Sequence, residues 1–219
     1  MEAMAHNYSH SNSNSTGSRL IITMLLNFLI TIAEIIGGIL SGSLSLISDA
    51  LHNFSDGIAV IISYFAIQLK KKPNTGKHTF GFKRAEILAA LINAAVLVAI
   101  SVYLFYESII RLMNPQEVEG GLMTLVASVG LIANVIGTLL LKRDSSSSLN
   151  IKSAYLHLFS DAVSSGAVIA GGIAIYFFKI YWLDPILTIL ISIYVLKESF
   201  EILTSTLHVL MEGTPLNIS

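Results

Sequence analysis

The apolar residues of this chain fall into blocks long enough to cross a lipid bilayer, and that restricts its fold more than any other feature. A hydrocarbon core takes about 20 residues of helix. Six blocks meet that length: Leu20–Leu40, Ser45–Leu69, Ala85–Met113, Gly121–Leu141, Asn150–Phe178 and Trp182–Leu210. Only 12% of the residues are charged and 53% are hydrophobic, against about 25% charged in a typical soluble domain. Ten-residue segments of alternating polarity, the mark of a membrane barrel, do not occur. The expected fold is an all-α membrane protein, a six-transmembrane-helix bundle over residues 19–212. Residues 1–18 are polar and read as a disordered tail.

The breaks between the blocks have the chemistry of turns. Ser41-Gly42-Ser43 is a tight turn, Lys70-Lys71-Lys72-Pro73-Asn74 a charged loop, and Asn114-Pro115 opens a third connection. Arg143-Asp144 and four serines link the fourth and fifth spans. Trp182-Leu183-Asp184-Pro185 opens the sixth, with proline in the first turn, where no helical donor is lost. Lys and Arg are distributed unevenly. Arg19, Lys70, Lys71, Lys72, Lys77, Lys83, Arg84, Lys142, Arg143 and Lys152 fall at one side, Arg111 and Lys179 at the other, and Lys197 inside the last span. The positive-inside rule then puts both termini in the cytoplasm.

Charged groups inside a bilayer cost about 2.5–3.5 kcal/mol each, so those that occur point to function. The second span contains Ser48-Asp49-Ala50-Leu51-His52-Asn53-Phe54-Ser55-Asp56, and the fifth Ala154-Tyr155-Leu156-His157-Leu158-Phe159-Ser160-Asp161. The stretches His52–Asp56 and His157–Asp161 differ at one position. Residues four apart share a helix face, so each span presents an imidazole beside a carboxylate. If the two helices face each other, His52, Asp56, His157 and Asp161 supply two nitrogens and two oxygens, a full tetrahedral set for zinc. Imidazole ligands also suit cobalt or cadmium, whereas an all-oxygen set would suit magnesium, calcium or manganese. Cysteine is absent, which excludes thiolate sites and disulfides. The competing reading, a pair of structural hydrogen bonds between helices, weakens when the same pair recurs. Asp49 is placed to hold His52 through its other ring nitrogen or to line the access path. Glu34, in the first span, is a second pathway candidate. Ser55 and Ser160 can bond to the carboxylates or to their own helices. His6, His10, His78 and His208 read as surface or tail residues outside the site.

These residues resemble the signatures of the cation diffusion facilitators. Gly42-Ser43-Leu44-Ser45-Leu46-Ile47-Ser48-Asp49-Ala50-Leu51-His52 with Asp56 is similar to their second span, and Phe80-Gly81-Phe82-Lys83-Arg84-Ala85-Glu86 to the start of their third. His157–Asp161, Asp184-Pro185 and Glu212-Gly213-Thr214-Pro215 match later segments. The resemblance implies a proton-coupled zinc exporter, a homodimer with one transport site per protomer, with zinc preference attached to the two-His, two-Asp site. It also implies a cytoplasmic domain after the Glu-Gly-Thr-Pro segment. Residues 213–219 are expected to be only the start of that part, whose domain is absent from a chain ending at Ser219. No histidine-rich loop separates the fourth and fifth spans. Phe82 stands where another histidine would accompany His78, so a second metal site before the third span is not expected.

The function expected is efflux of Zn2+, with Cd2+ or Co2+ as alternative cargo, by alternating access in exchange for protons. The chain would be an integral protein of a bacterial cytoplasmic membrane, with the lipid bilayer, a second copy, metal ions and protons as partners and no nucleic acid. Gly37-Gly38, Gly57, Gly166 and Gly171-Gly172 offer small surfaces for close helix approach. Two other classes compete. A passive divalent-metal channel differs in gating, which spacing does not reveal. A membrane haem-binding bundle needs two facing histidines, but a carboxylate one turn from each would crowd an apolar macrocycle. An enzyme is not expected, because the zinc-protease pattern H-E-x-x-H is missing.

Overall fold

A computed structural model describes residues 28–70, 84–142 and 149–213. The tail expected over residues 1–18, the loop carrying His78, the serine link and the segment after Gly213 lie outside these residues. The described part of α1 is Phe28–Ser41. It is followed by α2 (Leu44–Lys70), α3 (Ala85–Met113), α4 (Gly120–Lys142), α5 (Leu149–Phe178) and α6 (Leu183–Leu210). No strand occurs among the described residues. The protein is an all-α membrane bundle, as the hydropathy blocks require, with the described helix ends within a residue of the expected breaks; the start expected for α1, Leu20, lies outside the described residues.

Three helices have stretches both long and apolar enough to cross a membrane: Ile87–Met113, Gly120–Leu139 and Tyr155–Phe178. Helices α2 and α6, of 27 and 28 residues, reach about 40 Å at 1.5 Å per residue. They are long enough to span and carry much of the polar content. The distribution of polarity is that of a protein dissolved in lipid. Large apolar side chains such as Ile36, Ile92, Tyr103, Leu125, Val163 and Phe177 point outward, while Glu34, Ser48, Asp49, His52, Asn53, Asn134, Asp161 and Ser165 are buried. Water is not available in hydrocarbon, so polar groups satisfy one another inside the bundle. The apolar core is correspondingly small: Leu46, Val118, Met123, Ala127, Val168 and Ile175 form one cluster.

Packing is most extensive between α4 and α5 and between α3 and α6, and α2 touches α3, α5 and α6. The α4–α5 contact depends on glycine. A Cβ on Gly120 would lie 2.5 Å from the Gly172 carbonyl oxygen and 2.7 Å from the Tyr176 nitrogen. Both obstacles are backbone and cannot swing away. Gly120→Ala should therefore force α4 from α5 and cost about 1–3 kcal/mol, the usual range for overpacking. Thermal unfolding in detergent would register this as a lower midpoint. Gly37, Gly38, Gly171 and Gly172 are likewise tightly packed, against Val126, Ile47, Leu187 and Thr124. Gly57 and Gly166 correct the expectation. Among the described residues the first has Phe28 at 3.7 Å and the second has nothing within 4 Å, so no described neighbour makes either a close-approach surface.

One end of the bundle is fastened by a buried carboxylate. Asp184, in the first turn of α6, is fully buried and accepts hydrogen bonds from Ser43 Oγ (2.6 Å), Ser45 Oγ (2.6 Å), the Leu44 amide (2.9 Å) and the Ser45 amide (3.2 Å). The two amides are among the orphan donors at the start of α2. Ser43 is the local cap, since its Oγ accepts from the Leu46 amide at 3.1 Å. Gly42 turns the chain at φ +72, a left-handed conformation that suits glycine, and its carbonyl accepts from Arg111 Nη1 at 2.7 Å. Arg111 also pairs with Glu107 at 3.2 Å, one turn back on α3. At the other end Arg84 and Glu212 form an exposed ion pair joining the start of α3 to the residues after α6.

Candidate metal centre

The start of α2 is thus held against α6, and this places its next two turns in the bundle centre beside α5. His52 is buried, and its ring centroid lies 5.9 Å from that of His157 on α5. On α5 itself, His157 Nε2 lies 3.6 Å from Asp161 Oδ2, one helical turn on. One ligand atom from each of His52, His157 and Asp161 can be chosen so that all lie within 4.8 Å of one another. Ligand atoms on one tetrahedral zinc ion sit about 3.4 Å apart, so a small inward movement of side chains brings the three into range. Asp56 lies on α2 one turn beyond His52, and its side chain is outside the described residues. Three of the four expected ligands are therefore brought together by the fold.

The other polar candidates take separate positions. Asp49, one turn before His52, is buried and accepts hydrogen bonds from Ser164 Oγ (2.5 Å) and Ser165 Oγ (3.2 Å) of α5. It ties α2 to α5 directly behind the site. Glu34 is fully buried on α1, with Asn53 Nδ2 donating to its Oε2 at 3.5 Å, and its Oε1 has no hydrogen-bond partner among the described residues. Gly130 on α4 makes room for that oxygen, since a Cβ there would collide with it. Ser55 Oγ accepts from Asn93 Nδ2 of α3 at 2.8 Å, and Ser160 Oγ lies 3.3 Å from Tyr194 Oη of α6. These serines join neighbouring helices.

Helix α6 contributes two groups that spacing within the His-Asp repeat does not reveal. The Tyr194 ring meets the His52 ring edge-on at 6.0 Å, and Glu198 Oε2 lies 3.9 Å from His52 Nε2. The available signal was a carboxylate one turn from a tyrosine inside an apolar run.

A His-His-Asp cluster with His52 and Asp161 buried, on two facing helices of a membrane bundle, narrows the choice of family. Residues 20–211 match the family described as the cation efflux transmembrane domain. The chain belongs to that family. Cation efflux proteins are transporters rather than enzymes. Among similar proteins, the metal cation efflux system protein CzcD of Cupriavidus metallidurans is 41% identical over 96% of this chain and 66% of its own length. The zinc transporter ZitB of Pectobacterium atrosepticum is 39% identical over 99% of this chain and 68% of its own. The cadmium, cobalt and zinc/H(+)-K(+) antiporter of Bacillus subtilis is 39% identical over 98% and 69% respectively. This cation efflux domain thus spans about two thirds of the length of these relatives.

Proposed function

We propose that the chain forms the transmembrane path of a divalent-metal efflux transporter that prefers zinc and exchanges it for protons. The ion is held by His52, Asp56, His157 and Asp161, and the observation that carries this reading is the convergence of His52, His157 and Asp161 on one point inside the bundle. The printed names of relatives support the cargo: one is a zinc transporter and another a cadmium, cobalt and zinc antiporter that names H(+). Proton exchange follows from the ligands themselves. A histidine nitrogen or carboxylate must be unprotonated to bind metal, so metal and protons compete for the same atoms. Imidazole is the side chain that ordinarily exchanges its proton near neutral pH. Facing the cytoplasm the deprotonated site loads metal; facing outward it releases metal against protons.

In this reading both termini are cytoplasmic, two copies form the working unit, and the membrane is a bacterial cytoplasmic one, in keeping with relatives from bacteria. The haem alternative fares worse, because Asp161 Oδ2 lies 3.6 Å from His157 Nε2, where a macrocycle would have to pass. Transport into proteoliposomes tests antiport against a channel. An acid lumen should raise the initial zinc uptake rate several-fold over vesicles without a gradient, and a protonophore should remove the gain. Uptake indifferent to the gradient would remove proton coupling, and uptake that follows voltage without saturating would favour a channel.

A further inference from the structure

We infer that Glu198 is a loading ligand, a carboxylate on α6 that first engages the metal ion and passes it to the His52–His157–Asp161 site. The inference rests on the transport reading above. Two donor atoms bound to one zinc ion can be at most about 4.3 Å apart, given bond lengths of about 2.0–2.2 Å. Glu198 Oε2 lies 3.9 Å from His52 Nε2, so one ion can touch both. That oxygen is buried and has no hydrogen-bond partner among the described residues. A buried carboxylate oxygen left without a donor is costly, and a cation is the partner that would offset the cost. The side chain as a whole is 42% exposed. Facing lipid would be expensive for a charged group, so the exposed part borders an access route.

Helix register gives the side of approach. The chain rises along α5 and descends along α6, and the Ser160–Tyr194 contact aligns them. One turn further along α6 is Glu198, and one turn back along α5 is His157. Glu198 therefore lies level with His157, toward the end where α5 begins and α6 finishes. Exposure grades in the same direction. His157 is about one-third exposed, whereas Asp161 and, a turn further toward the opposite end, Asp49 are buried. An ion arriving from the α6 C-terminal end meets Glu198 and His157 before Asp161. Of the described carboxylates Glu198, Asp161 and Asp49, Glu198 stands on the accessible side.

A loading ligand affects capture more than turnover, which gives it a distinct kinetic signature. The test is zinc uptake into proteoliposomes by the full chain and by Glu198→Gln, Glu198→Asp and Asp161→Asn. Glu198→Gln keeps the shape and removes the charge. It should raise KM for zinc about tenfold with kcat within twofold, and Glu198→Asp should recover part of the loss. A Glu198→Gln protein with parental KM, or with reduced kcat at parental KM as a purely structural role would give, overturns the inference. Asp161→Asn separates the two readings. If it is inactive while Glu198→Gln has a parental KM, only the loading role fails. If Asp161→Asn transports like the parent, the site itself is misassigned and the loading role falls with it.

Discussion

Asp161→Ala is expected to remove tight zinc binding and, with it, nearly all metal flux. Asp161 is 2% exposed, sits 3.6 Å from the His157 imidazole and belongs to the one group of potential metal ligands found among the described residues. Four-ligand zinc sites in peptides bind with apparent free energies of about 10–16 kcal/mol. An equal share for one ligand is roughly 3 kcal/mol, or about two orders of magnitude in affinity. Calorimetry at pH 7.5 and pH 5.5 would compare the parent with Asp56→Ala and Asp161→Ala. The parent should show one tight site that weakens at acid pH. The sign follows from competition: each ligand binds metal only when deprotonated, so added protons displace the ion and alkaline conditions favour it. Either variant should bind at least about a hundredfold more weakly. Parental affinity in both variants would make the His-Asp repeat a device for joining helices and would leave the transport reading on family membership alone.

The outline of the fold was legible because lipid imposes a coarse rule. Every backbone polar group must be satisfied within its own segment, so spans show as long apolar runs and breaks as Gly, Pro and charge. The site was legible in its repeated part for a similar reason: His52–Asp56 and His157–Asp161 place donors at helical spacing, and spacing survives folding. What could not be read are pairings between distant segments. Asp49 looks locally like a partner for His52, three residues on, but nothing local reveals that Ser164 and Ser165, more than a hundred residues away, donate to it. Gly166 looks like a packing glycine, yet a Cβ there would meet nothing within 4 Å among the described residues, while Gly120 and Gly130 matter because of what stands opposite them, Gly172 and Glu34. A small residue marks a close approach only if a neighbour arrives, and the arrival is decided by the whole bundle. Asp184 shows this most clearly. An acidic residue in the first turn of α6 reads as stabilising that helix's own positive end, but its oxygens turn to the start of α2 instead.

That long-range pairing leads to the other large effect. Asp184→Ala should destabilise the protein by about 2 kcal/mol or more, since it removes the acceptor shared by Ser43 Oγ, Ser45 Oγ and two α2 amides and each buried donor left unpaired costs about 1–3 kcal/mol. The serine hydroxyls can rotate to other acceptors, so the two amides set the lower end of that estimate. Asp184→Asn keeps one acceptor oxygen of similar shape and should retain part of the stability. The consequence is not confined to that end of the bundle. His52 lies two turns beyond Leu44 on the same helix, and α2 carries half of the proposed ligand set. A start of α2 released from α6 lets His52 shift along or around the helix axis relative to His157 and Asp161. Asp184→Ala should therefore lower both the thermal midpoint in detergent and zinc affinity, although Asp184 touches none of the proposed ligands in the contacts described. Asp161→Ala, by contrast, should lower affinity with little loss of midpoint, because it vacates a metal site rather than a helix cap. Measuring both quantities for both variants separates anchoring from ligation. A normal midpoint with lost affinity in Asp184→Ala would move Asp184 into the ion path. A lowered midpoint with parental affinity would mean that α5 alone, through Ser164 and Ser165 on Asp49, suffices to hold His52 in place.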